Sequence, residues 1–287
     1  MQLGAYQLTR KLGQGGMAEV WSARAFGPSG FERQVAIKRL LPELRDNPEL
    51  QRALVAEARL GARLGHRNLI HVEELGFVDG EYFLRLELVE GVPLSALGVL
   101  PAELAALVAE ELAHALAHLH AVTDDKGRGL GLVHRDVSPA NVLVSRDGEV
   151  KLCDYGVAKV TTRAEVTRAN IVKGKYAYMS PEQTRGEPLD AASDQFALAV
   201  LLVELCTGVR PFTAATPHAT MELIARAEAP LLAGLSRSLQ PLVERCLAPR
   251  PRDRFPSSEA LCNALGEARR ALPPATSFQL AARVRAA

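Results

Sequence analysis

The stretch Leu132-Val133-His134-Arg135-Asp136-Val137-Ser138-Pro139-Ala140-Asn141-Val142-Leu143-Val144 decides how this chain is read. It sets an aspartate, Asp136, and an asparagine, Asn141, in one loop, with a short apolar run on each side. Asp154-Tyr155-Gly156 follows further along. The first loop can offer a carboxylate to a hydroxyl proton and an amide oxygen to a metal. The second can offer another carboxylate to the same metal. These are the parts needed to move a phosphoryl group from Mg-ATP to an alcohol.

Composition narrows the setting. A chain of 287 residues predicts about two domains, and at 48% hydrophobic it can bury a full core. A net charge of +1 argues against nucleic acid or an anionic membrane as a general partner. The four cysteines, Cys153, Cys206, Cys246 and Cys262, have neither CxxC nor metal-site spacing and read as reduced, mostly buried thiols of a cytoplasmic protein. Cys153, beside Asp154, reads as a packed small residue. Met1-Gln2-Leu3-Gly4-Ala5 lacks a basic region followed by an apolar one, so no signal peptide is expected. The most apolar segment, Phe196 to Leu205, is shorter than the roughly 20 residues of a membrane span and reads as a buried helix.

Residues 6–89 alternate short β-rich runs with glycine turns. Val35 to Lys38 is one strand and Tyr82 to Val89 another, the latter preceded by an Asp79-Gly80 hairpin turn. Pro48 begins a helix that carries Glu57, and Ala25 to Arg33, with Gly27, Pro28, Ser29 and Gly30, read as a loop linking two strands. Glu90-Gly91-Val92-Pro93 marks a boundary. Beyond it Pro101 suits a first helical turn, and Leu104, Leu107, Val108, Leu112, Ala115, Leu116 and Leu119 form an apolar stripe of period 3.6. His114, His118 and His120 read as solvated or capping side chains, because no carboxylate or cysteine completes a ligand set. Gly208 and Pro211 end the buried helix. From Pro273 the tail is linker-like, and Phe278 to Ala287 is left open between a short helix and disorder.

In ordered sequence the chain resembles the protein kinase family, and within it the bacterial, eukaryotic-like Ser/Thr kinases. Leu12-Gly13-Gln14-Gly15-Gly16-Met17-Ala18-Glu19-Val20 is similar to the glycine-rich phosphate loop. Val35-Ala36-Ile37-Lys38 is similar to the strand with the phosphate-binding lysine, and Glu57 to that lysine's ion-pair partner. His134-Arg135-Asp136 and Asp154-Tyr155-Gly156 stand at the catalytic loop and metal site, and Ser180-Pro181-Glu182 where the family has Ala-Pro-Glu. Asp194 and Arg254 match two structural charges of the large lobe.

The resemblance implies an α+β, bilobal fold over residues 6–272: a small β-rich lobe, 6–89, with one key helix, and a larger, mainly helical lobe, 90–272. Residues 273–287 would be a tail. It implies ATP and Mg2+ as cofactors, bound between the lobes. Gly13, Gly15 and Gly16 would let backbone amides approach phosphates. Leu12 would line the cofactor site; Val20 and Ala36 would lie above the adenine and Leu143 below it, with Glu87 C=O and Val89 N–H on its edge and Leu86 at the back. Lys38, held by Glu57, would bind phosphate; Asp136 would take the hydroxyl proton; Asn141 and Asp154 would hold the metal. Glu182 would pair with Arg254, and Asp194 would accept N–H bonds from the catalytic loop. Protein substrates are implied; the oligomeric state is open, a homodimer for autophosphorylation being one option. Arg135 would bind a phosphate on Thr161, Thr162 or, preferentially, Thr167.

Several positions depart from the pattern. Ala18 replaces the third glycine and Tyr155 the family's phenylalanine. Gly61 stands on the Glu57 helix where a larger apolar side chain is usual, leaving a gap that the Tyr155 ring could fill. Ser138 replaces the catalytic-loop lysine, and Lys175 the threonine after Gly174. Together these last two return one ammonium and one hydroxyl to the same space, so Lys175 is read as stabilising the transferring phosphoryl group and Ser138 as taking the threonine's positioning role. A kinase is the first reading; an ATP-binding pseudokinase scaffold or a small-molecule kinase of the same fold remain alternatives.

Overall fold

β-Rich runs separated by glycine turns become a six-stranded antiparallel sheet. Its order is β1 (Gln2–Leu3), β2 (Tyr6–Gln14), β3 (Ala18–Phe26), β4 (Glu32–Leu40), β6 (Glu81–Leu86) and β5 (Val72–Val78). Residues directly opposed across strands share a face. Val20 lies opposite Lys38, Ala36 opposite Leu86, and Lys38 opposite Leu84, so all five stand on one face. Helix α1 (Pro48–Gly61) packs there through Leu54 and Ala58 against Leu40 and Leu84. The other face buries Tyr6, Leu8, Ala23, Val35, Ile37 and Phe83. The Asp79-Gly80 turn joins β5 to β6 with both residues at positive φ, 50° and 82°.

The computed structural model describes residues 1–154, 175–227, 230 and 232–287. They form two compact units, one of residues 1–66 and 70–89, the other of 67–69 and the described residues from Glu90 on.

Asn47 caps α1 by accepting the Glu49 and Leu50 amides, and Pro48 pre-sets its first turn. Gly61 corrects an expectation. It is the last residue of α1 rather than a mid-helix position, and a Cβ there would lie 2.1 Å from Val72 Cγ2. Val72 of β5 fills the space, so no gap waits for Tyr155, which lies outside the described residues. Strand β6 also stops at Leu86, short of Val89; the Glu87 carboxylate accepts the His71 amide at 2.7 Å instead.

In the second unit, β7 (Gly91–Pro93) is followed by α2 (Ala102–His120), and β8 (Val142–Ser145) and β9 (Val150–Leu152) join β7 in a three-stranded sheet. Then come α3 (Pro181–Arg185), α4 (Ala191–Thr207), α5 (Pro217–Arg226), α6 (Gln240–Cys246) and α7 (Ser258–Arg270). Helix α4 is buried on all sides, capped by Asp190 and ended by Gly208 at φ 74°. It packs on α2, whose apolar stripe is buried as read. Among the described residues no helix is long and apolar enough to cross a membrane.

The tail, left open by sequence, is helical. Thr276 opens α8 (Ser277–Ala286) with a capping box, and Leu280, Ala281 and Val284 are buried against the second unit. Arg283 donates to Val99 O and Arg285 to Arg146 O, each at 3.1 Å. The β8–β9 turn comes so close that a Cβ on Gly148 (φ +81°) would stand 1.9 Å from Ser277 O. Gly148→Ala is therefore expected to cost about 1–3 kcal/mol through its backbone conformation alone, with α8 displaced as well. A urea melt and the rate of tryptic cleavage at Arg283 and Arg285 check this; an unchanged midpoint with unchanged cleavage would refute the close seat.

Candidate active site

In the first unit, Lys38 projects from β4 and donates to Glu57 Oε1 at 2.6 Å, with the two residues 6% and 4% exposed. Glu57 stands on the α1 face that also buries Leu54, Ala58 and Gly61, so helix packing fixes where the carboxylate points. Val20 and Ala36 share the sheet face with Lys38. Between β2 and β3, Gly15 N–H closes the turn on Ala18 O at 2.6 Å. Leu12, Gly13, Gly15 and Gly16 are exposed there, and a Cβ on Gly13 would meet nothing within 4 Å. The unit's own packing thus makes no demand for glycine at 13. Glu87 and Val89 are half-buried at the end of this unit.

Sequence reading missed a charge cluster beside that turn, with Glu19 and Arg39 buried and Lys11 exposed. Glu19 accepts from Arg39 at 2.9 Å and pairs with Lys11 at 2.7 Å. Burial works to raise the Glu19 pKa, but the bonds from Lys11 and Arg39 outweigh it and hold the carboxyl below its ordinary value. Lys11 and Glu19 flank the glycine turn, and Arg39 adjoins Lys38, so the cluster braces both.

In the second unit, Asp194 of α4 accepts His134 N–H at 2.7 Å and Arg135 N–H at 2.9 Å. These bonds hold Arg135 at φ 67°, a left-handed conformation costly for a side-chain-bearing residue. His120 is neither solvated nor a cap, which corrects the sequence reading: its Nε2 lies 2.8 Å from Asp194 Oδ2 and its Nδ1 2.8 Å from Ser258 Oγ. Burial acts to raise the Asp194 pKa, yet the bond and charge of His120 and the His134 amide hold it below the ordinary value. Nothing local to His120 signalled this, since its partners lie 74 and 138 residues away.

Asn141 donates through Nδ2 to Asp136 O at 2.9 Å, which turns its amide oxygen away from that carbonyl. Asn141 immediately precedes β8, and Val142 pairs with Leu152 of β9. Cys153 N–H then donates to Asn141 O at 2.9 Å, so Asp154 leaves the hairpin at the end where Asn141 enters. Cys153 is half-buried, its thiol on Asn141 O at 3.1 Å. No three His, Cys, Asp or Glu residues gather into a metal cluster among the described residues. One amide oxygen and one carboxylate do suit Mg2+, which keeps water and substrate phosphate as its other ligands. Leu143 is half-buried on β8.

Lys175 begins the short turn Lys175–Tyr178 and donates to Asp136 Oδ2 at 2.6 Å and to Asn141 Oδ1 at 3.0 Å. Ser138 is 1% exposed, and its hydroxyl makes no hydrogen bond among the described residues. The structure thus brings Lys175, and not Ser138 Oγ, to the aspartate. Arg135 Nε has no partner among the described residues, and Thr161, Thr162, Thr167 and Gly174 lie outside them.

Beneath the loop, Arg254 donates to both Glu182 oxygens, at 2.7 and 2.9 Å, and Ser193 donates to the first of them at 2.7 Å. Burial acts to raise the Glu182 pKa, but Arg254 and Ser193 keep it below its ordinary value. Ser180 opens α3 with a capping box, and Gln183 donates to Arg135 O at 3.0 Å, tying this segment to the loop that carries Asp136.

The protein kinase domain family matches residues 6–265. A tyrosine-protein kinase of Myxococcus xanthus, MasK, is 39% identical over 274 residues, covering 91% of this chain and 42% of the relative. The serine/threonine-protein kinase PknA of Mycobacterium tuberculosis is 34% identical over 276 residues, covering 93% of this chain and 62% of that protein. The crystal structure of the M. tuberculosis PknI kinase domain superposes with a TM-score of 0.67 at 26% identity, covering 93% of this chain and 97% of that one. The chain therefore spans about half the length of these curated relatives, 42% and 62%. With a β-sheet unit bearing the Lys38–Glu57 pair and a helical unit bearing Asp136, Asn141 and Asp154, matched by this family over most of its length, the chain belongs to the protein kinase family.

Proposed function

We propose that this chain is an active kinase domain, residues 6–272, that transfers the γ-phosphoryl group of Mg-ATP to serine or threonine hydroxyls of proteins, itself included, in the cytoplasm. The observation that carries the reading is the buried Lys38–Glu57 pair at 2.6 Å. Taking two charges out of water is costly, and the arrangement suits a site that handles phosphate; an ATP-binding scaffold with little transfer activity is separated by the activity assay below. For ATP, Gly13, Gly15, Gly16 and Lys38 would take the phosphates, and Leu12, Val20, Ala36, Leu143 and the Glu87–Val89 main chain would take the base. Mg2+ would be held by Asn141 and Asp154 and would neutralise developing phosphate charge. Asp136, presented by the loop anchored on Asp194, would accept the hydroxyl proton.

Serine and threonine are favoured because PknA, and PknH at 33% identity, carry that name. Tyrosine is a second reading, supported by the name of the 39% identical MasK. Incubation with γ-labelled ATP, Mg2+ and a generic protein substrate, followed by phosphoamino-acid analysis, separates them. Label on serine and threonine is expected. Label on tyrosine alone would transfer the assignment, and no label on substrate or enzyme would leave the scaffold reading standing.

A further inference from the structure

The base and its cation come from different parts of the chain. Lys175 lies 39 residues beyond Asp136, on a turn seated by the hydrogen bond of the Tyr178 hydroxyl to Glu204 and by the capping box at Ser180. Its ammonium contacts Asp136 Oδ2 and Asn141 Oδ1, the two oxygens to which proton and metal roles fall. An ammonium has three N–H bonds. Two are used in these contacts, and at 19% side-chain exposure the group remains open to an incoming ligand. Ser138, in the catalytic loop itself, is enclosed, and its hydroxyl engages nothing among the described residues.

Resting on the kinase reading above, we propose that Lys175 is the catalytic cation of phosphoryl transfer, its third N–H directed to a γ-phosphoryl oxygen, and that Ser138 marks the loop position freed of that task. In the step, the substrate hydroxyl oxygen bonds to the γ-phosphorus, and the bond from that phosphorus to the bridging oxygen breaks. The electron pair leaves on ADP, and the hydroxyl proton passes to Asp136. Lys175 gives up no proton; its charge balances the equatorial oxygens while its bond to Oδ2 aims Asp136. A structural salt bridge would need only one acid and no particular neighbour, whereas this ammonium spans the base and the metal-side amide. Base and cation thus come from segments 39 residues apart, so the placement of Lys175 decides competence for chemistry.

A second ammonium from position 138 would compete for the same oxygens. Two unit charges 4 Å apart repel by about 4 kcal/mol near a protein surface. This predicts reciprocal coupling. With the full chain, Mg-ATP and a protein substrate, Lys175→Thr is expected to lower kcat by about 10²–10³, with KM for ATP shifted by less than about threefold, because the loss falls on the transition state. Ser138→Lys alone should also impair turnover, and Ser138→Lys with Lys175→Thr should recover most of it. Simple additivity, or a Lys175→Thr enzyme with wild-type kcat, overturns the proposal while the wild type's own activity leaves the kinase reading intact. A wild type that transfers no phosphate overturns both. Should position 138 not accept lysine in a folded chain, Lys175→Arg against Lys175→Met decides: the variant that keeps the charge must retain at least about tenfold more kcat, and equal losses refute a role for charge.

Discussion

Asp136→Asn is expected to cut kcat by about 10²–10⁴, the range for a positioned general base. The fold should survive it, because the loop is held by Asp194 through the His134 and Arg135 amides and not by the Asp136 side chain. An asparagine oxygen can still accept from Lys175, so ATP affinity and the melting midpoint should stay near wild type. Lys38→Met makes the useful contrast. It should also lower turnover, by about 10²–10³ for a lost charge contact to phosphate, but both members of the Lys38–Glu57 pair are buried. Removing one partner of a buried ion pair costs about 3–5 kcal/mol. The geometry therefore predicts a clear fall in stability beside lost activity. Turnover, ATP binding and urea melts on the two variants check both statements. An Asp136→Asn enzyme within threefold of wild-type kcat would remove Asp136 from the role of base.

Local chemistry was legible in the sequence because the reacting groups sit in short segments with a fixed order. The strand with Lys38, the helix with Glu57, the Asp136–Asn141 loop and the Asp79-Gly80 turn each announce themselves within about ten residues by period, caps or turn residues. The pairings that hold those segments were less legible. Val72 fills the space over Gly61 because β5 runs beside the end of α1, and nothing in either segment alone states that contact. Glu19 and Arg39 read singly as ordinary strand charges, and only the β3–β4 register sets them opposite one another and buries them. His120 lay on a helix whose neighbouring histidines suggested solvent, yet the end of α2 delivers it to Asp194. The tail illustrates the same limit: Thr276 and Gln279 form a capping box visible in sequence, but the burial of Leu280 and Val284 depends on a face of the second unit assembled from distant residues. Glu182 and Arg254 were linked beforehand through family resemblance alone, 72 residues apart.

That last pair should dominate the stability of the second unit. Arg254→Ala is expected to destabilise by about 3–5 kcal/mol, since it leaves a buried carboxylate without the bidentate cation that stood beside Ser193. Arg254→Lys should rescue little. A single ammonium cannot reproduce two bonds to Glu182 together with those that Arg254 makes to Ala192 O and Ala248 O. The pH dependence has a definite sign. Glu182 and Asp194 are both held below their ordinary values, so each binds protons more weakly folded than unfolded. The stability they supply is complete above the unfolded carboxylate pKa of about 4 and is lost as pH falls through the lower folded values. Wild-type stability should therefore decline steeply below about pH 4–5. Arg254→Ala, starting lower at neutral pH, should show a shallower decline, because its Glu182 no longer has a depressed pKa to lose. Urea midpoints measured from pH 7 downward test this. Parallel curves for wild type and Arg254→Ala would mean that the ion pair is not the source of the acid sensitivity, leaving Asp194, with its His120 and backbone donors, to account for it.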